Sequence, residues 1–465
     1  MTDPTPACPR RHVRRAWWLL ALPLLATDVH AATCDPQADD VTAAGGPACA
    51  QAWMDGQLKL NDLLAVGTHN SYKQAIPPAE HALLQHLDPQ GAATLDYAHK
   101  PLQAQLDTGA RQLELDVVRD DPQGGRYLHP LAATAAGSAL DPDWSRVMAQ
   151  PGLKALHMPD VDFRSSCPLF RDCLRQLLAW SQRHPRHPPI LVLVNAKDGE
   201  GVPGGVALPV FDEAGFDELD AEIRSVLPAA RLITPDDVQG NHATLREAVL
   251  ANAWPTLEQA RGRFLFALDE NPRKVALYRG ARTSLQGRVM FVNTDEGSPA
   301  AGYLTLNDPV ADAARIAAAV RAGFLVRTRA DADTRQARDN DIAHRERALA
   351  SGAQWISTDY LWPDTRFPGG FTVRLPQRVA VACNPLRTGT RCAGNPVETV
   401  ADADWARAEA AVLDAPAPRA ANAAASMPPD IPLENTSPQA RRCDPEQATG
   451  CRPCGSVAAA SSPPR

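Results

Sequence analysis

The sequence lacks a long apolar run outside its first 31 residues, and it lacks an excess of positive charge. A helix that crosses a membrane needs roughly 18 or more apolar residues in a row, so no membrane-spanning segment is expected. The chain of 465 residues carries a net charge of −7. Without residues 1–31 the net charge is about −9, which argues against a nucleic-acid partner and against a generally basic membrane-binding surface.

The first 31 residues have the pattern of an export signal. Four arginines within residues 10–15 precede a short apolar stretch over residues 17–26, and a Val-His-Ala sequence ends at Ala31. Small residues three places and one place before a cleavage point are typical of signal peptides. The sequence therefore predicts a signal peptide over residues 1–31 and a secreted or periplasmic protein.

All nine cysteines of the expected mature chain fall into close groups. They are Cys34/Cys49, Cys167/Cys173, Cys383/Cys392 and, near the end, Cys443, Cys451 and Cys454. This spacing in an exported chain predicts local disulfides with one cysteine left over. The last group could instead bind zinc, although its polar, proline-rich surroundings make that the weaker interpretation.

Eight short apolar runs alternate with stretches of helical periodicity between residues 63 and 359. The runs are Leu63–Val66, Gln112–Val118, Leu153–Leu156, Ile190–Val194, Arg263–Leu268, Arg288–Val292, Phe324–Val326 and Gln354–Ile356. Strands that alternate with helices favour an α/β fold, here a (β/α)8 TIM-type barrel with insertions. An open doubly wound α/β sheet is the alternative.

The pattern changes after residue 375. We expect the barrel domain over residues 32–375, a small disulfide-stapled extension over residues 376–409, and a disordered tail over residues 410–465. The tail is rich in Ala, Pro and Ser and has no apolar face that could pack against a core.

Polar residues stand at the ends of several runs. His69 and Asn70 follow the first run, Glu114 and Asp116 share one face of the second, and His157 follows the third. A histidine can transfer a proton near neutral pH, and carboxylate and amide oxygens bind Ca²⁺ or Mg²⁺. The set therefore predicts a metal-dependent site that cleaves phosphodiesters.

The later runs add further candidates. Asn195 and Lys197 follow the fourth run, and Arg327 and Arg329 share a face after the seventh. The two arginines could bind phosphate or inositol hydroxyls, or form salt bridges with Asp331 or Asp359. His129 is an alternative to His157 as the second catalytic histidine.

Several segments carry a family resemblance. They are Gly-Thr-His-Asn-Ser-Tyr at 67–72, Glu-Leu-Asp at 114–116, Lys-Ala-Leu-His at 154–157, Asp-Phe-Arg-Ser-Ser-Cys at 162–167, Leu-Val-Arg-Thr-Arg-Ala-Asp-Ala-Asp at 325–333, Ala-Ser-Gly-Ala-Gln at 350–354 and Ser-Thr-Asp-Tyr at 357–360. Together they resemble the calcium-dependent bacterial phosphatidylinositol-specific phospholipases C. That family lies within the superfamily of phospholipases C and glycerophosphodiester phosphodiesterases.

The resemblance implies a phosphoric diester hydrolase that cleaves phosphatidylinositol to diacylglycerol and a (cyclic) inositol phosphate. In this chain it assigns catalysis to His69 and His157, Ca²⁺ binding to Asn70, Glu114, Asp116 and Asn195, and substrate binding to Lys197, Arg327 and Arg329. A carboxylate, or a water that it holds, would take the proton of the attacking hydroxyl. His69 would donate to the phosphate oxygens, and His157 would protonate the departing alkoxide.

Asn195 departs from the family, which commonly has a glutamate on the fourth strand. One less negative charge predicts weaker Ca²⁺ binding, and Ca²⁺ is still favoured over Mg²⁺. The expected partner is a phospholipid or glycerophosphodiester substrate. The protein is expected to be a monomer that makes transient contact with a membrane surface. The alternatives are a glycerophosphodiester phosphodiesterase with soluble substrates and a non-catalytic barrel that binds a phosphate or sugar.

Overall fold

The computed structural model describes residues 34–367 and 369–413. The predicted signal peptide and nearly all of the predicted tail, with its three cysteines, lie outside these residues. The described strands are β1 (Leu63–Thr68), β2 (Gln112–Val118), β3 (Lys154–Ala155), β4 (Ile190–Lys197), β5 (Phe264–Leu268), β6 (Met290–Val292), β7 (Tyr303–Thr305), β8 (Leu325–Arg329), β9 (Trp355–Thr358), β10 (Val379–Cys383) and β11 (Glu398–Thr399).

The described helices surround these strands. They are α1 (Pro47–Gln57), α2 (Pro78–Leu87), α3 (Pro89–Thr94), α4 (Leu102–Asp107), α5 (Leu131–Ala136), α6 (Trp144–Met148), α7 (Phe170–Arg183), α8 (Glu213–Val226), α9 (Pro235–Gln239), α10 (Leu245–Leu250), α11 (Leu257–Ala260), α12 (Pro272–Arg279), α13 (Ala313–Ala322), α14 (Arg335–Asp339), α15 (Ile342–Ala350), α16 (Pro385–Thr388) and α17 (Asp402–Leu413). Short 3₁₀ turns lie at Leu60–Asp62, Ala229–Arg231 and Pro376–Arg378. Within the described ranges, no helix combines the length and the apolar character that a membrane crossing requires.

Eight parallel strands form the barrel. Their order is β6-β5-β4-β2-β1-β9-β8-β7, and a parallel bridge between Asn293 and Tyr303 joins the two ends of the sheet. The strands are short apolar runs because helices cover the outer face while side chains fill the interior, so both faces are buried. In β4, for example, the five residues from Ile190 to Val194 are fully buried. The predicted (β/α)8 barrel is confirmed.

One predicted barrel strand is wrong, and one real strand is missing from the prediction. The run Leu153–Leu156 supplies β3, which pairs antiparallel with the end of β2 and does not belong to the barrel. The eighth barrel strand is β7, which has only three residues. Its apolar signal is too short to stand out, and among the described elements no helix separates it from β6.

The segment after residue 375 contacts the barrel directly. Strand β10 pairs antiparallel with β1 at its amino end, where Leu63 lies opposite Cys383. The three predicted local disulfides are present as Cys34–Cys49, Cys167–Cys173 and Cys383–Cys392. The last of them links the end of β10 to the segment between β10 and β11. Helix α17 continues to Leu413, a few residues beyond the point at which the tail was expected to begin.

Candidate functional site

The carboxyl ends of the eight parallel strands open at one end of the barrel, which we call the mouth. Polar side chains come to the mouth from several strands, as is usual for the catalytic end of this fold. They are His69 and Asn70 after β1, Glu114 and Asp116 in β2, Asn195 and Lys197 in β4, Arg327 and Arg329 in β8, and Asp359 after β9. Of the nine predicted site residues, only His157 lies outside the barrel strands and the residues directly after them.

The glycine of the Gly-Thr-His-Asn motif has a structural role. Gly67 pairs with Gln112 where β1 and β2 approach, and a Cβ on Gly67 would lie only 2.4 Å from the Gln112 side chain. Any larger residue would push the two strands apart. Gly67 therefore allows β1 to carry His69 and Asn70 to positions directly beside the carboxylates of β2.

His69 is held by a buried carboxylate. Its Nδ1 lies 2.9 Å from Asp359 Oδ1, and its Nε2 lies 3.7 Å from Glu114 Oε1. The Tyr97 hydroxyl is 3.3 Å from the same Nδ1. Burial lowers the pKa of His69 well below its ordinary value, and the Arg329 guanidinium adds to the effect. The lowered pKa favours the neutral imidazole, and Asp359 orients the ring through Nδ1.

The backbone after His69 is also fixed by side chains. His99 Nε2 lies 2.7 Å from the carbonyl oxygen of His69. Asn70 takes a left-handed conformation with φ 47°, which asparagine adopts more readily than most residues. Its amide nitrogen donates to the Tyr97 hydroxyl at 2.9 Å. Among the described residues, no donor reaches Asn70 Oδ1, although this oxygen is buried.

Glu114 and Asp116 lie in different surroundings. Glu114 accepts from Asn195 Nδ2 at 2.9 Å and from the Arg327 guanidinium at 2.7 Å. Both carboxylate oxygens of Asp116 are buried, and within the described chain no hydrogen-bond donor reaches Oδ1. The nearest positive charge is the ammonium of Lys197, 3.1 Å from Oδ2. Burial lowers the pKa of Lys197, but Asp116 outweighs this, so the net pKa is raised.

These oxygens fit a hard divalent cation. Buried oxygens without a donor, such as Asn70 Oδ1 and Asp116 Oδ1, cost free energy unless another partner satisfies them. Carboxylate and amide oxygens are the ligands that Ca²⁺ prefers. Asn195 directs its nitrogen to Glu114, which leaves its Oδ1 available as a further ligand. The donor set thus matches the Ca²⁺ dependence expected from the sequence.

A second group of potential metal ligands lies elsewhere. Asp107, His184 and Asp404 bring one ligand atom each within 4.8 Å of one another. Asp107 ends α4 and His184 follows α7, and both helices lead into strands, so this cluster lies at the amino ends of the strands. Arg407 already forms ion pairs with both carboxylates. This arginine supplies the positive charge that a metal would bring.

His157 has its own carboxylate partner. Its Nδ1 lies 2.8 Å from Asp162 Oδ2, and the Asp162 carboxylate forms a buried ion pair with Lys73 at 3.1 Å. Burial raises the pKa of Asp162, but Lys73 and His157 outweigh it and leave the pKa lowered. His157 is close enough to His69 for its charge to lower the pKa of His69. His129, by contrast, is exposed to solvent.

The two arginines of β8 pair with site carboxylates. Arg327 contacts Glu114 and is almost fully buried, while Arg329 lies 2.9 Å from Asp359 and donates to the carbonyl oxygen of Asp331. Burial and the neighbouring Asp359 raise the pKa of Asp331 to about 7. Arg329 thus forms one of the two salt bridges that the sequence left open, the one with Asp359.

Several residues of this network were not predicted. Tyr97, His99 and Lys73 come from the irregular segments between β1 and α4, where no periodicity marks a position. Two other members of the network, Asp162 and Asp359, could have been found from their positions in the sequence. Asp162 follows His157 by five residues, and Asp359 follows the last barrel strand. Both carboxylates serve to hold a histidine at Nδ1.

Comparison with known proteins agrees with the resemblance seen in the sequence. The family model described as "Phosphoinositide phospholipase C, Ca2+-dependent" matches residues 58–385, which is more than half of the chain. No curated protein gives a significant match.

Solved structures of phospholipases C are similar at low sequence identity. A calcium-dependent phosphoinositol-specific phospholipase C from a Gram-negative Pseudomonas species has a TM-score of 0.42 and 15% identity, over 71% of this chain and 96% of that chain. A Ca²⁺-dependent phosphatidylinositol-specific phospholipase C from Streptomyces antibioticus has a TM-score of 0.37 and 20% identity, over 65% and 95%. The family model, which spans the barrel and every predicted site residue, identifies this chain as a member of the Ca²⁺-dependent phosphoinositide phospholipase C family of phosphodiesterases.

Proposed function

We propose that this chain is an exported phospholipase C that cleaves the phosphodiester of phosphatidylinositol to diacylglycerol and a (cyclic) inositol phosphate. The observation that carries the proposal is the pair His69 and His157. Each has Nδ1 held by a buried carboxylate, and the two rings are near enough to interact electrostatically. The family match supplies the substrate class. Three disulfides support an oxidising compartment outside the cytoplasm.

In this proposal His69 is the base. The hydrogen bond to Asp359 places the ring proton on Nδ1 and leaves the Nε2 lone pair 3.7 Å from Glu114. An acceptor at this position is suited to remove the proton of the inositol 2-hydroxyl, which then attacks its own phosphate in line. This assignment differs from the donor role that the resemblance suggested for His69.

His157 is the acid in the same step. Lys73 pairs with the Asp162 carboxylate behind His157, and this carboxylate holds the ring at Nδ1, which leaves Nε2 for the substrate. The proton on Nε2 can then pass to the alkoxide of diacylglycerol as the bond to phosphorus breaks. In this step His69 accepts the proton of the attacking oxygen, and His157 donates a proton to the departing oxygen.

The other site residues bind and orient. Asn70 Oδ1, Glu114, Asp116 and Asn195 Oδ1 would hold the Ca²⁺ ion. When bound, the ion neutralises the charge that builds on the phosphate and lowers the pKa of the hydroxyl. Lys197 has the most exposed side chain of the three cations, and it would turn from Asp116 toward the phosphate when the substrate binds. Arg327 and Arg329 orient Glu114 and Asp359, respectively, and add positive potential.

The calcium requirement is tested at Asn195. With only two carboxylates among the proposed ligands, we expect half-maximal activity at roughly 10⁻⁴–10⁻³ M Ca²⁺, the range of weak extracellular sites. Asn195→Glu adds a carboxylate beside Glu114 and should lower this concentration by about tenfold, because ion affinity rises with ligand charge. The product should not change. A calcium titration of initial rates measures the effect.

The matched control is Asn195→Gln, which has the length of glutamate without its charge. It should leave the calcium midpoint unchanged or raise it. If Asn195→Glu and Asn195→Gln need the same Ca²⁺ concentration for half-maximal activity, Asn195 is not a ligand of the ion. Full activity of the unmodified chain in EDTA would contradict calcium dependence altogether.

We further propose a monomer that meets its lipid substrate in transient contact with a membrane surface. The reaction requires that the phosphodiester reach the mouth of the barrel, where both histidines lie. A glycerophosphodiester phosphodiesterase would use the same groups on a soluble substrate, and its product would be acyclic. The identity of the product therefore separates the two activities.

A further inference from the structure

A cavity of about 810 Å³ opens directly beside His157. The segments that follow β1, β3 and β4 form its walls, so it lies at the mouth of the barrel. His157 and Lys197 line one part of it, and apolar side chains line much of the rest, among them Leu84, Leu87, Met158 and Val202. A volume of this size is within the roughly 300–1,000 Å³ of small-molecule sites.

The apolar wall is separate from the barrel core. Leu84, Ala92, Ala132 and Val161 form a small buried cluster of their own, against which Met158 and Val202 pack. The connections that follow β1, β2, β3 and β4 supply all of these residues, on the short helices α2, α3 and α5 and in loops. The barrel has a large continuous core without them. The cluster therefore serves to build the wall of the cavity.

The wall is fixed in place by one buried carboxylate. Asp160 is 5% exposed and accepts from the backbone nitrogens of Leu131 at 3.2 Å and Val206 at 2.7 Å. The loop after β4 is closed on itself by an antiparallel bridge between Gly199 and Leu208. The cavity is thus formed before any ligand arrives, which reduces the conformational entropy lost on binding.

We propose that this cavity binds the glycerol backbone and the first acyl methylenes of the lipid leaving group. The inference rests on the proposed function, in which His157 protonates the departing glycerol oxygen. The leaving group must therefore begin at His157, and the apolar space continues from that residue. The barrel interior beside the cavity carries Glu114, Asp116 and Arg327. These polar groups, together with the proposed Ca²⁺, suit the inositol phosphate. Apolar burial favours the acyl methylenes on the cavity side.

The test compares acyl-free glycerophosphoinositol with phosphatidylinositols of increasing short acyl length, all below their critical micelle concentrations so that no lipid surface contributes. In the unmodified chain kcat/KM should rise by up to roughly fourfold for each methylene that is buried. The readout is the acyl preference, defined as kcat/KM for dihexanoyl phosphatidylinositol divided by kcat/KM for glycerophosphoinositol.

Val202→Trp fills the cavity from the loop after β4, and Leu87→Trp fills it from α2. Each should lower the acyl preference by about tenfold or more, since a filled cavity cannot bury several methylenes. The matched control is Val210→Trp, because Val210 lies on the same loop but is 51% exposed. It should keep the acyl preference of the unmodified chain.

The outcomes separate the two proposals. Cleavage of acyl-free and acylated substrates with equal efficiency, or equal loss on both in the tryptophan variants, would overturn the acyl cavity and leave the proposed function standing. No cleavage of any inositol phosphodiester by the unmodified chain with Ca²⁺ would overturn the proposed function, and the cavity assignment with it.

Discussion

Replacing His69 with alanine should abolish turnover of phosphatidylinositol while the fold remains intact. General acid–base groups typically contribute about 10²–10⁴ in rate, and we expect a loss of kcat in that range. The reason is that His69 Nε2 is the acceptor proposed for the attacking hydroxyl, and Asp359 holds the ring in position through Nδ1. Initial rates at saturating Ca²⁺, with thermal unfolding of the same samples, measure the effect.

The control for this variant is His129→Ala, since His129 is an exposed histidine that makes no described contact with the site. It should retain the activity and the melting temperature of the unmodified chain. If the His69→Ala protein has a normal melting temperature and loses less than tenfold in kcat, His69 is not the catalytic base.

Replacing His157 with alanine should slow the natural lipid far more than a substrate with a good leaving group. An alkoxide needs a proton as it departs, whereas a nitrophenolate does not. We expect a loss of about 10²–10⁴ on phosphatidylinositol and a much smaller loss on nitrophenyl inositol phosphate. The ratio of the two rates is the diagnostic quantity, because a merely structural defect would lower both.

The same pair of substrates decides between the two histidines that the sequence left open. His129→Ala should cleave both substrates at the rates of the unmodified chain. If instead His129→Ala produced the leaving-group dependence and His157→Ala did not, the acid would be His129, and the Asp162–Lys73 pair would have no role in catalysis.

The sequence was informative where a strand fixes the direction of a side chain. Glu114 and Asp116 are two residues apart on β2, and this spacing alone places both carboxylates on the same face of the strand. The same argument placed Arg327 and Arg329 together on β8. Seven of the eight barrel strands overlap a predicted apolar run, whereas the three-residue β7 was missed.

The sequence was less informative where contacts depend on irregular segments. The run at residues 153–156 is apolar and precedes His157, yet it folds back as β3 against β2. Local apolarity cannot distinguish a barrel strand from a short antiparallel addition. Likewise, no pattern shows that Tyr97 and His99 return to the site, because their positions depend on the packing of the long connection after β1.

The polar partners within the site had the same limit. Arg327 could be placed near the carboxylates from the sequence, but not paired with Glu114 in preference to substrate. Which group Arg327 pairs with depends on distances across the barrel interior, and these distances follow from the stagger of the strands. The cavity beside His157 was not expected either, since three separate insertions form it.

The most direct test of the central claim is phosphorus NMR of the purified protein with phosphatidylinositol in detergent, with and without Ca²⁺. We predict that the lipid phosphodiester signal disappears and that the signal of a cyclic inositol phosphate appears first, only when Ca²⁺ is present. Release of an acyclic phosphate without a cyclic intermediate would indicate the glycerophosphodiesterase reaction. An unchanged lipid signal in Ca²⁺ would contradict the proposed phospholipase C activity.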